Sequence, residues 1–346
     1  MTDSSFIAHH SSLRVVMMAT GPFAVPTFRS LAEPPDRFQI LALFTRPERP
    51  SHGRDKHQPA ASLMRALAEE RGLPIHAPES INSAEAHDVL KNLAADLFVV
   101  CDYGQILSAE TLALARLGGI NLHGSLLPKY RGAAPVNWAI YHGESETGVT
   151  VIRMTARLDA GPCLVQRRTP IDPDETALDL EPRLAELGAP AVLEAIELVA
   201  SGGSGSGSGS GIPQDTQLAT KAPRLTKSDG LVNWNRTAAE IRNQVRALQP
   251  WPTTYSFLRR PEGAYLRLIF DQVAAADEEA VKVTLLVRER PPPGTVIAVD
   301  KDMLMILCGK GAILPQIVQP AGKRTMSVGE FLRGHALSIG DRFGNC

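Results

Sequence analysis

LRVVMMATGPFAVPTFRSLAE (residues 13–33) opens the pattern that decides the fold of this chain. Residues 13–20 form a buried-strand run that ends at Gly21-Pro22, and the residues after this turn can open a helix. The same alternation continues through strands FQILALFT (38–45), ADLFVVCDY (95–103), GGINLHG (118–124) and GVTVIRMT (148–155), and helices SLMRALAEERG (62–72) and 179–200. Strands that alternate with helices predict an α/β domain with a Rossmann-like, mostly parallel sheet.

A Gly/Ser run, SGGSGSGSGSG (201–211), separates this pattern from a different one. Such a run can bury nothing and is typical of a flexible linker. Beyond it we predict a short helix from Thr237 to Leu248, and strands in AYLRLIFDQV (264–273), VKVTLLV (281–287), GTVIAVD (294–300), MLMILCG (303–309) and GAILPQIVQP (311–320). Short strands with one helix predict a small OB-like β-barrel. We therefore expect a disordered tail (1–12), a first domain (13–200), a flexible linker (201–220) and a second domain (221–346).

Composition excludes several classes of protein. The chain has 44% hydrophobic residues and a net charge of −1, which suits ordinary globular domains. It has no apolar run long enough for a membrane span and no apolar signal core, so we expect a cytoplasmic protein. The four cysteines are scattered, and the three-glycine dinucleotide fingerprint, the P-loop and the HExxH motif are missing from the sequence. We therefore expect no metal site and no NAD site.

Basic residues concentrate in two places despite the balanced total. Residues 221–260 contain eight cations and two anions, a net charge of +6. A second cluster, Arg46, Arg49, Arg54 and Lys56, lies in a loop with proline and glycine. Each cluster alone suits an ordinary solvated face, but two such clusters make a polyanionic partner plausible.

The residues that carry chemistry surround the end of the strand GGINLHG. Asn121 and His123 are two positions apart, so an extended backbone points both side chains to one side. Ligands of open parallel sheets bind beyond the carboxyl ends of the strands. A later loop, ARLDAGP, carries Asp159, and a carboxylate beside an imidazole fixes its tautomer. Together these three indicate a general acid/base site, although a hydrogen-bonded core histidine and a turn aspartate remain the alternatives.

The chain resembles the folate-dependent formyltransferase family. INLHGSLLPKYRGAAPVNWAI (120–140), ETGVTVIRM (146–154) and LDAGP (158–162) carry the resemblance. TRPERPSHGRDK (45–56), CDYGQIL (101–107), LATKAPRLTKSDGLVNW (218–234) and GKRTMSVGEFLRGH (322–335) are similar to family members that act on tRNA. The resemblance leaves out only the first twelve residues and the Gly/Ser run.

Specific roles follow from this resemblance. It implies that Asn121, His123 and Asp159 are catalytic. It implies a folate-binding loop of Ser125, Leu126, Leu127 and Pro128, and a second folate-binding segment of Tyr103, Gly104, Gln105, Ile106 and Leu107 that acts through backbone groups. It also implies nucleic-acid contacts from Arg46, Arg49, Arg54, Lys56, Lys221, Arg224, Lys227 and Arg246.

The resemblance further implies the substrates. The formyl donor would be 10-formyltetrahydrofolate, and the acceptor would be the amino group of initiator methionyl-tRNA, for translation initiation. No membrane and no obligatory protein partner are expected. Formylation of a sugar-nucleotide amine is the nearest alternative. A non-catalytic folate- or RNA-binding module and hydrolysis of the same donor to formate are more distant alternatives.

Overall fold

A computed structural model describes residues 12–33, 36–47, 61–202, 211–259, 263, 265–285 and 290–345. The chain forms two compact units. The first comprises the residues up to Pro135 together with Thr147–Thr169 and Glu181–Ala222, and the second comprises Val136–Glu146, Pro170–Leu180 and the residues from Pro223 onward. The predicted tail before Ser12 and the part 203–210 of the Gly/Ser run lie outside the described residues.

The strands, in chain order, are β1 (Leu13–Ala19), β2 (Phe38–Phe44), β3 (Ile75–His76), β4 (Leu97–Cys101), β5 (Gly119–His123), β6 (Arg131–Gly132), β7 (Glu146–Arg153), β8 (Cys163–Pro170), β9 (Lys221–Ala222), β10 (Thr254–Arg259), β11 (Tyr265–Ala276), β12 (Val296–Asp300), β13 (Met303–Leu307), β14 (Ala312–Pro320), β15 (Met326–Ser327) and β16 (Phe343–Gly344). The helices are α1 (Val25–Ala32), α2 (Ala61–Glu70), α3 (Ala84–Leu93), α4 (Ala109–Leu112), α5 (Pro135–Tyr141), α6 (Ala177–Ser201), α7 (Ala238–Ala247), α8 (Glu278–Thr284) and α9 (Val328–Gly334).

The sheet of the first unit confirms the predicted α/β class. Its strand order is β3-β2-β1-β4-β5-β7-β8. The pairs from β3 to β5 are parallel, and β7 runs antiparallel to β5. The central strands β1 and β4 are buried along most of their length, which explains their continuous apolar sequences. Their carboxyl ends form one edge, at which β5 also ends.

The second unit is an antiparallel sheet that closes on itself. Its order is β12-β13-β14-β11-β10-β16, with β15 beside β14. A bridge between Thr295 and Arg342 joins the two outer strands, and Phe343 N donates to Gly294 O at 2.8 Å. Trp234 and Phe270 pack in its core. The predicted barrel-like second domain is therefore confirmed.

One predicted strand of the barrel is wrong. VKVTLLV was expected to form a strand, whereas residues 278–284 form the helix α8. The Asp277 side chain caps this helix by accepting from Ala280 N at 2.9 Å, and Glu278 and Glu279 occupy its first turn. Carboxylates at the start of a helix stabilise it, whereas β-branched residues such as Val281 and Val283 favour a strand. Here the capping outweighs the strand propensity.

The chain after the Gly/Ser run packs on the first unit. We name residues 211–222 the strap. Ile212 and Cys163 exchange two backbone hydrogen bonds of 2.8 Å, and β9 pairs with β6 in parallel. The second half of the predicted 201–220 linker thus makes regular backbone contacts within this unit. No helix among the described residues is both long enough and apolar enough to cross a membrane.

Candidate active site

β5 presents Asn121 and His123 at the carboxyl edge of the first sheet. Asn121 lies between Val100 of β4 and Ile152 of β7. Its amide is half-buried and makes no hydrogen bond with any residue that the structure describes. An amide in a strand that is tied on both sides, with its own donors unused, is a preorganised hydrogen-bond donor.

The imidazole of His123 has a neighbouring oxygen at each of its two nitrogens. His123 is 5% exposed, and Nε2 lies 2.9 Å from the Tyr130 carbonyl oxygen. Because a carbonyl only accepts, this contact places the hydrogen on Nε2. Nδ1 then faces the Asp159 carboxylate, with 3.7 Å between Nδ1 and Oδ2. This separation is longer than a hydrogen bond, as is common in catalytic pairs before substrate binds.

Asp159 reaches the imidazole from the loop between β7 and β8. Its backbone is left-handed, with φ of 47°, a conformation that aspartate tolerates better than most residues. Its Oδ2 accepts from Gly132 N at 2.9 Å, so the carboxylate is anchored to the segment after β5. The structure therefore brings together His123 and Asp159, which are 36 positions apart in the sequence, a proximity that the sequence pattern alone left open.

Thr150 and Gln166 shape the loop 125–128. Thr150 Oγ1 donates to Ser125 O at 2.7 Å and accepts from Leu127 N at 3.1 Å. Gln166 Nε2 donates to Leu127 O at 2.7 Å. Leu127 is buried and Leu126 and Pro128 are half-buried, so this predicted folate loop is a fixed, largely apolar edge. The Ser125 hydroxyl donates to Lys129 O at 2.7 Å and so is used within the loop.

The second predicted folate segment, residues 103–107, follows β4. Asn82 Nδ2 donates to Ile106 O at 2.9 Å, and the Gln105 side chain binds the backbone of Pro78 and Ile81. The Tyr103 ring is buried. Among the described residues, none accepts a hydrogen bond from the backbone N–H groups of residues 104–107. The segment is thus held from behind while its backbone donors stay available.

Asp102 and Arg46 lie at the same edge of the sheet. The Asp102 carboxylate packs against Gly21, where an added Cβ would stand 1.7 Å from Oδ2. Burial and the nearby Glu181 carboxylate raise the pKa of Asp102 to about 6, while Arg46 opposes that rise. The Arg46 side chain lies beside Gly104, so this predicted tRNA contact lies against the segment 103–107 that is predicted to bind folate. Arg49, Arg54 and Lys56 lie outside the described residues.

Replacing Asp102 by asparagine is expected to stabilise the protein at pH 8. The folded-state pKa of Asp102 lies above its ordinary value of 3.8, so the native state binds the extra proton between about pH 4 and 6. Stability from this group therefore falls as pH rises through that window. The Asp102 carboxylate packs against Gly21 but the residue as a whole is exposed, so solvent screens its charge and the gain in the free energy of unfolding at pH 8 is roughly 1 kcal/mol.

Urea unfolding at pH 8 and pH 4 checks this prediction. Asparagine also tolerates the left-handed backbone at Asp102, with φ of 48°, so the substitution changes charge more than conformation. The increase in the free energy of unfolding caused by Asp102→Asn should be much smaller at pH 4 than at pH 8. Equal gains at both pH values would show that the carboxylate charge is not the cause.

The predicted cations of the stretch 221–260 divide into two groups. Lys221, Arg224 and Lys227 are exposed. Arg246 instead donates to the Glu175 carbonyl at 2.8 Å and to Asn243 Oδ1 at 2.7 Å, and Arg242 forms an ion pair with Asp174. Arg246 therefore holds parts of the second unit together, and its guanidinium is already engaged by these partners.

The motif GKRTMSVGEFLRGH lines a cleft of about 360 Å³ in the second unit. Lys323, Arg324, Arg333 and His335 all border it. Glu330 pairs with Arg324 at 2.6 Å. The cleft carries a surplus of cationic side chains, which suits an anionic ligand.

Sequence reasoning missed the residues that support the site. Thr150 and Gln166 bind the backbone of Leu127, Gln214 binds that of Asp159, and Thr220 binds that of Tyr130. Their partners lie far away in sequence, so no local motif could have identified them. Within the described part of the chain, no group of three or more His, Cys, Asp or Glu side chains is placed to hold a metal ion.

Comparison with known families matches both units. The family described as formyl transferase matches residues 13–196, and the one described as formyl transferase, C-terminal domain, matches residues 224–336. A methionyl-tRNA formyltransferase of Rhodopirellula baltica is 44% identical over 339 residues, covering 96% of each chain. One of Geobacter sulfurreducens is 39% identical over 334 residues, covering 96% of this chain and 98% of that protein.

Solved structures share the fold at low identity. The sugar 3N-formyl transferase WlaRD, determined in the presence of dTDP and 5-N-formyl-THF, has a TM-score of 0.58 and 17% identity, covering 91% of this chain and all of that one. HypX of Aquifex aeolicus in complex with tetrahydrofolic acid has a TM-score of 0.54 and 16% identity, covering 96% of this chain and 51% of that one. Similarity at this level carries the fold alone.

Proposed function

Since this chain belongs to the formyl transferase family, we propose that it transfers a formyl group from 10-formyltetrahydrofolate to the free amino group of methionyl-tRNA. The product, formylmethionyl-tRNA, would serve translation initiation, which implies a cytoplasmic location. The observation that supports the catalytic part is the 3.7 Å approach of His123 and Asp159 at the carboxyl edge of the first sheet, with Asn121 two residues from His123 on the same strand. The sugar 3N-formyl transferase among the structural neighbours is 17% identical and shares the fold alone, so it does not favour the sugar-nucleotide alternative.

The oxyanion role belongs to Asn121. Its unused amide donors can meet the formyl oxygen as that oxygen gains negative charge. His123 adds a second donor when it is protonated. Because Nε2 donates to the Tyr130 carbonyl, Nδ1, which faces Asp159, is the nitrogen that would donate to the formyl oxygen.

Asp159 handles the proton. The methionyl amine must attack in its neutral form and loses a proton after it adds. The Asp159 carboxylate lies 3.7 Å from the imidazole and keeps one oxygen, Oδ1, outside the Gly132 contact. We propose that it accepts this proton, directly or through water, and returns it to the departing folate nitrogen.

The folate would lie along two backbone edges. The folate supplies the activated formyl group. The backbone donors of residues 104–107 and the apolar edge at residues 125–128 are suited to a flat heterocycle with donor and acceptor groups. The side chains of Asn82, Gln105 and Gln166 support these two edges from one side. The folate would therefore bind on the opposite side.

The tRNA contacts rest on Lys221, Arg224 and Lys227 in this proposal. These side chains are exposed, whereas Arg246 has partners within the second unit. Phosphate contacts made by exposed cations release counterions and give affinity that falls steeply with salt. The cationic cleft of residues 322–335 offers a further surface for the same polyanion.

Neutralising one exposed cation is expected to reduce the salt dependence of tRNA binding. Lys221→Ala, Arg224→Ala and Lys227→Ala should each lower the slope of log K against log salt by about one. Filter binding of methionyl-tRNA at several salt concentrations measures the slope. Arg242→Gln is the matched control, because that arginine is already paired with Asp174. A Lys221/Arg224 double variant with the wild-type slope would contradict these contacts.

An acceptor assay tests the function as a whole. Purified protein and 10-formyltetrahydrofolate are incubated with methionyl-tRNA, with an amino-sugar nucleotide, or with no acceptor. Formyl transfer to methionyl-tRNA alone is expected. Transfer to the amino sugar would support the alternative acceptor, and formate release without an acceptor would indicate hydrolysis. Folate binding without any transfer would indicate a binding module.

A further inference from the structure

Gln214 of the strap joins the two loops that carry the site. Its Nε2 donates to Asp159 O at 2.8 Å and to Gly161 O at 2.7 Å. Its Oε1 accepts from Arg131 Nε at 3.1 Å and from Arg131 Nη2 at 2.7 Å. One side chain therefore links the loop after β7 to the segment after β5, and every polar atom of its amide is used.

Thr220, at the other end of the strap, holds the histidine side of the pair. Its Oγ1 accepts from Tyr130 N at 2.8 Å, and its carbonyl accepts from Arg131 N at 2.9 Å. Tyr130 has a left-handed backbone with φ of 64°, and its own carbonyl accepts from His123 Nε2. The strap thus supports the partner of the imidazole as well as the backbone of Asp159.

We infer that Gln214 is a positioning residue that sets the distance between Asp159 and His123. The inference rests on the proposed function, because that function is what makes the Asp159–His123 pair catalytic. Left-handed backbone costs free energy at residues other than glycine and persists only where surrounding contacts over-determine it. Both donor bonds of Gln214 fall on the Asp159–Gly161 turn, where this backbone strain lies.

The strap is the segment that directly follows the Gly/Ser run, so the geometry of the His123–Asp159 pair depends on how this segment is attached to the first unit. Its place on the first unit is held by its own hydrogen bonds. Gln214 provides four of these hydrogen bonds, and Thr220 and Ile212 provide others.

Gln214→Ala is expected to lower kcat by about 10–100-fold while leaving KM for the folate unchanged, because misplacement by about 1 Å at a catalytic group can cost about 10²-fold. Gln166→Ala is the matched control. It also removes a glutamine that donates to a loop carbonyl, but at Leu127 of the predicted folate loop. This control is expected to raise KM for the folate more than it lowers kcat.

Gln214→Glu separates the two halves of the amide. Glutamate keeps the acceptor for Arg131 and loses both donors to the Asp159–Gly161 turn. We expect a loss of kcat similar to that of alanine. A glutamate variant with wild-type kcat would overturn the inference, since the link to Arg131 alone would then suffice. The same conclusion would follow if Gln214→Ala changed only the melting temperature.

Amide hydrogen exchange provides a readout that needs no turnover. The Gly132 amide donates to the Asp159 carboxylate, so Gln214→Ala should speed its exchange by about tenfold or more through local opening, while Gln166→Ala should not. Unchanged exchange at Gly132 in the alanine variant would overturn the inference even if the wild-type protein formylates methionyl-tRNA. If Gly132 exchange is faster in Gln214→Ala but the wild-type protein shows no formyl transfer, the proposed function alone would be refuted.

Discussion

Replacing Asn121 by alanine should lower kcat by about 10²–10³-fold, which corresponds to about 2.7–4 kcal/mol of transition-state stabilisation. The amide lies on a strand held on both sides by β4 and β7, and it makes no hydrogen bond with the described residues. Its proposed partner is the formyl oxygen, which gains charge only as the amine adds. Steady-state kinetics with methionyl-tRNA and saturating folate measure the effect.

Asn121→Asp refines the test, because aspartate keeps the size of the side chain and replaces its donor by a charged acceptor. We expect aspartate to be at least as harmful as alanine. KM for either substrate should change little in comparison with kcat, since the interaction strengthens in the transition state. An exposed asparagine, Asn235, provides an alanine control that should retain full activity. Near wild-type turnover in Asn121→Ala would remove this residue from the mechanism.

Asp159→Asn should lower kcat by about 10²–10⁴-fold, the range that general acid–base catalysis contributes. The amide oxygen of asparagine can still accept from Gly132 N, and asparagine tolerates the left-handed backbone at this position. The substitution therefore removes the carboxylate charge and leaves the local fold supported. Thermal unfolding close to that of the wild type is part of the expected result.

Asp159→Ala separates the catalytic loss from the structural one. Alanine leaves the Gly132 N–H without its acceptor. It also places in a left-handed conformation a side chain that has no polar group to make local hydrogen bonds. We expect it to lose both activity and about 1–3 kcal/mol of stability. If Asp159→Asn kept wild-type kcat while Asp159→Ala lost it, the carboxylate would be a structural anchor and not a proton carrier.

The two experiments also bear on how His123 acts. Its Nε2 is tied to the Tyr130 carbonyl, so only the side facing Asp159 can respond to a bound substrate. His123 then contributes through Nδ1, the nitrogen that faces the Asp159 carboxylate. Tyr130 and Asp159, which flank the imidazole, both have left-handed backbone that is held by hydrogen bonds with Thr220 and Gln214.

Several features followed from the sequence by itself. Continuous apolar runs such as residues 13–20 and 95–103 determined buried parallel strands, because both faces of such strands are covered. The spacing of Asn121 and His123 determined that both side chains leave the same face of β5. The motifs 120–140 and 322–335 indicated the family, which the domain matches bear out.

Other features were decided only by the tertiary structure. The proximity of Asp159 and His123, the support from Gln214 and Thr220, and the use of Arg246 inside the second unit all depend on contacts between residues distant in sequence. The stretch 281–287 has the β-branched residues of a strand, yet the Asp277 cap makes most of it helical. Local sequence specifies propensity and spacing, whereas the partner of a buried polar group is set by which distant segments the fold brings within hydrogen-bond distance.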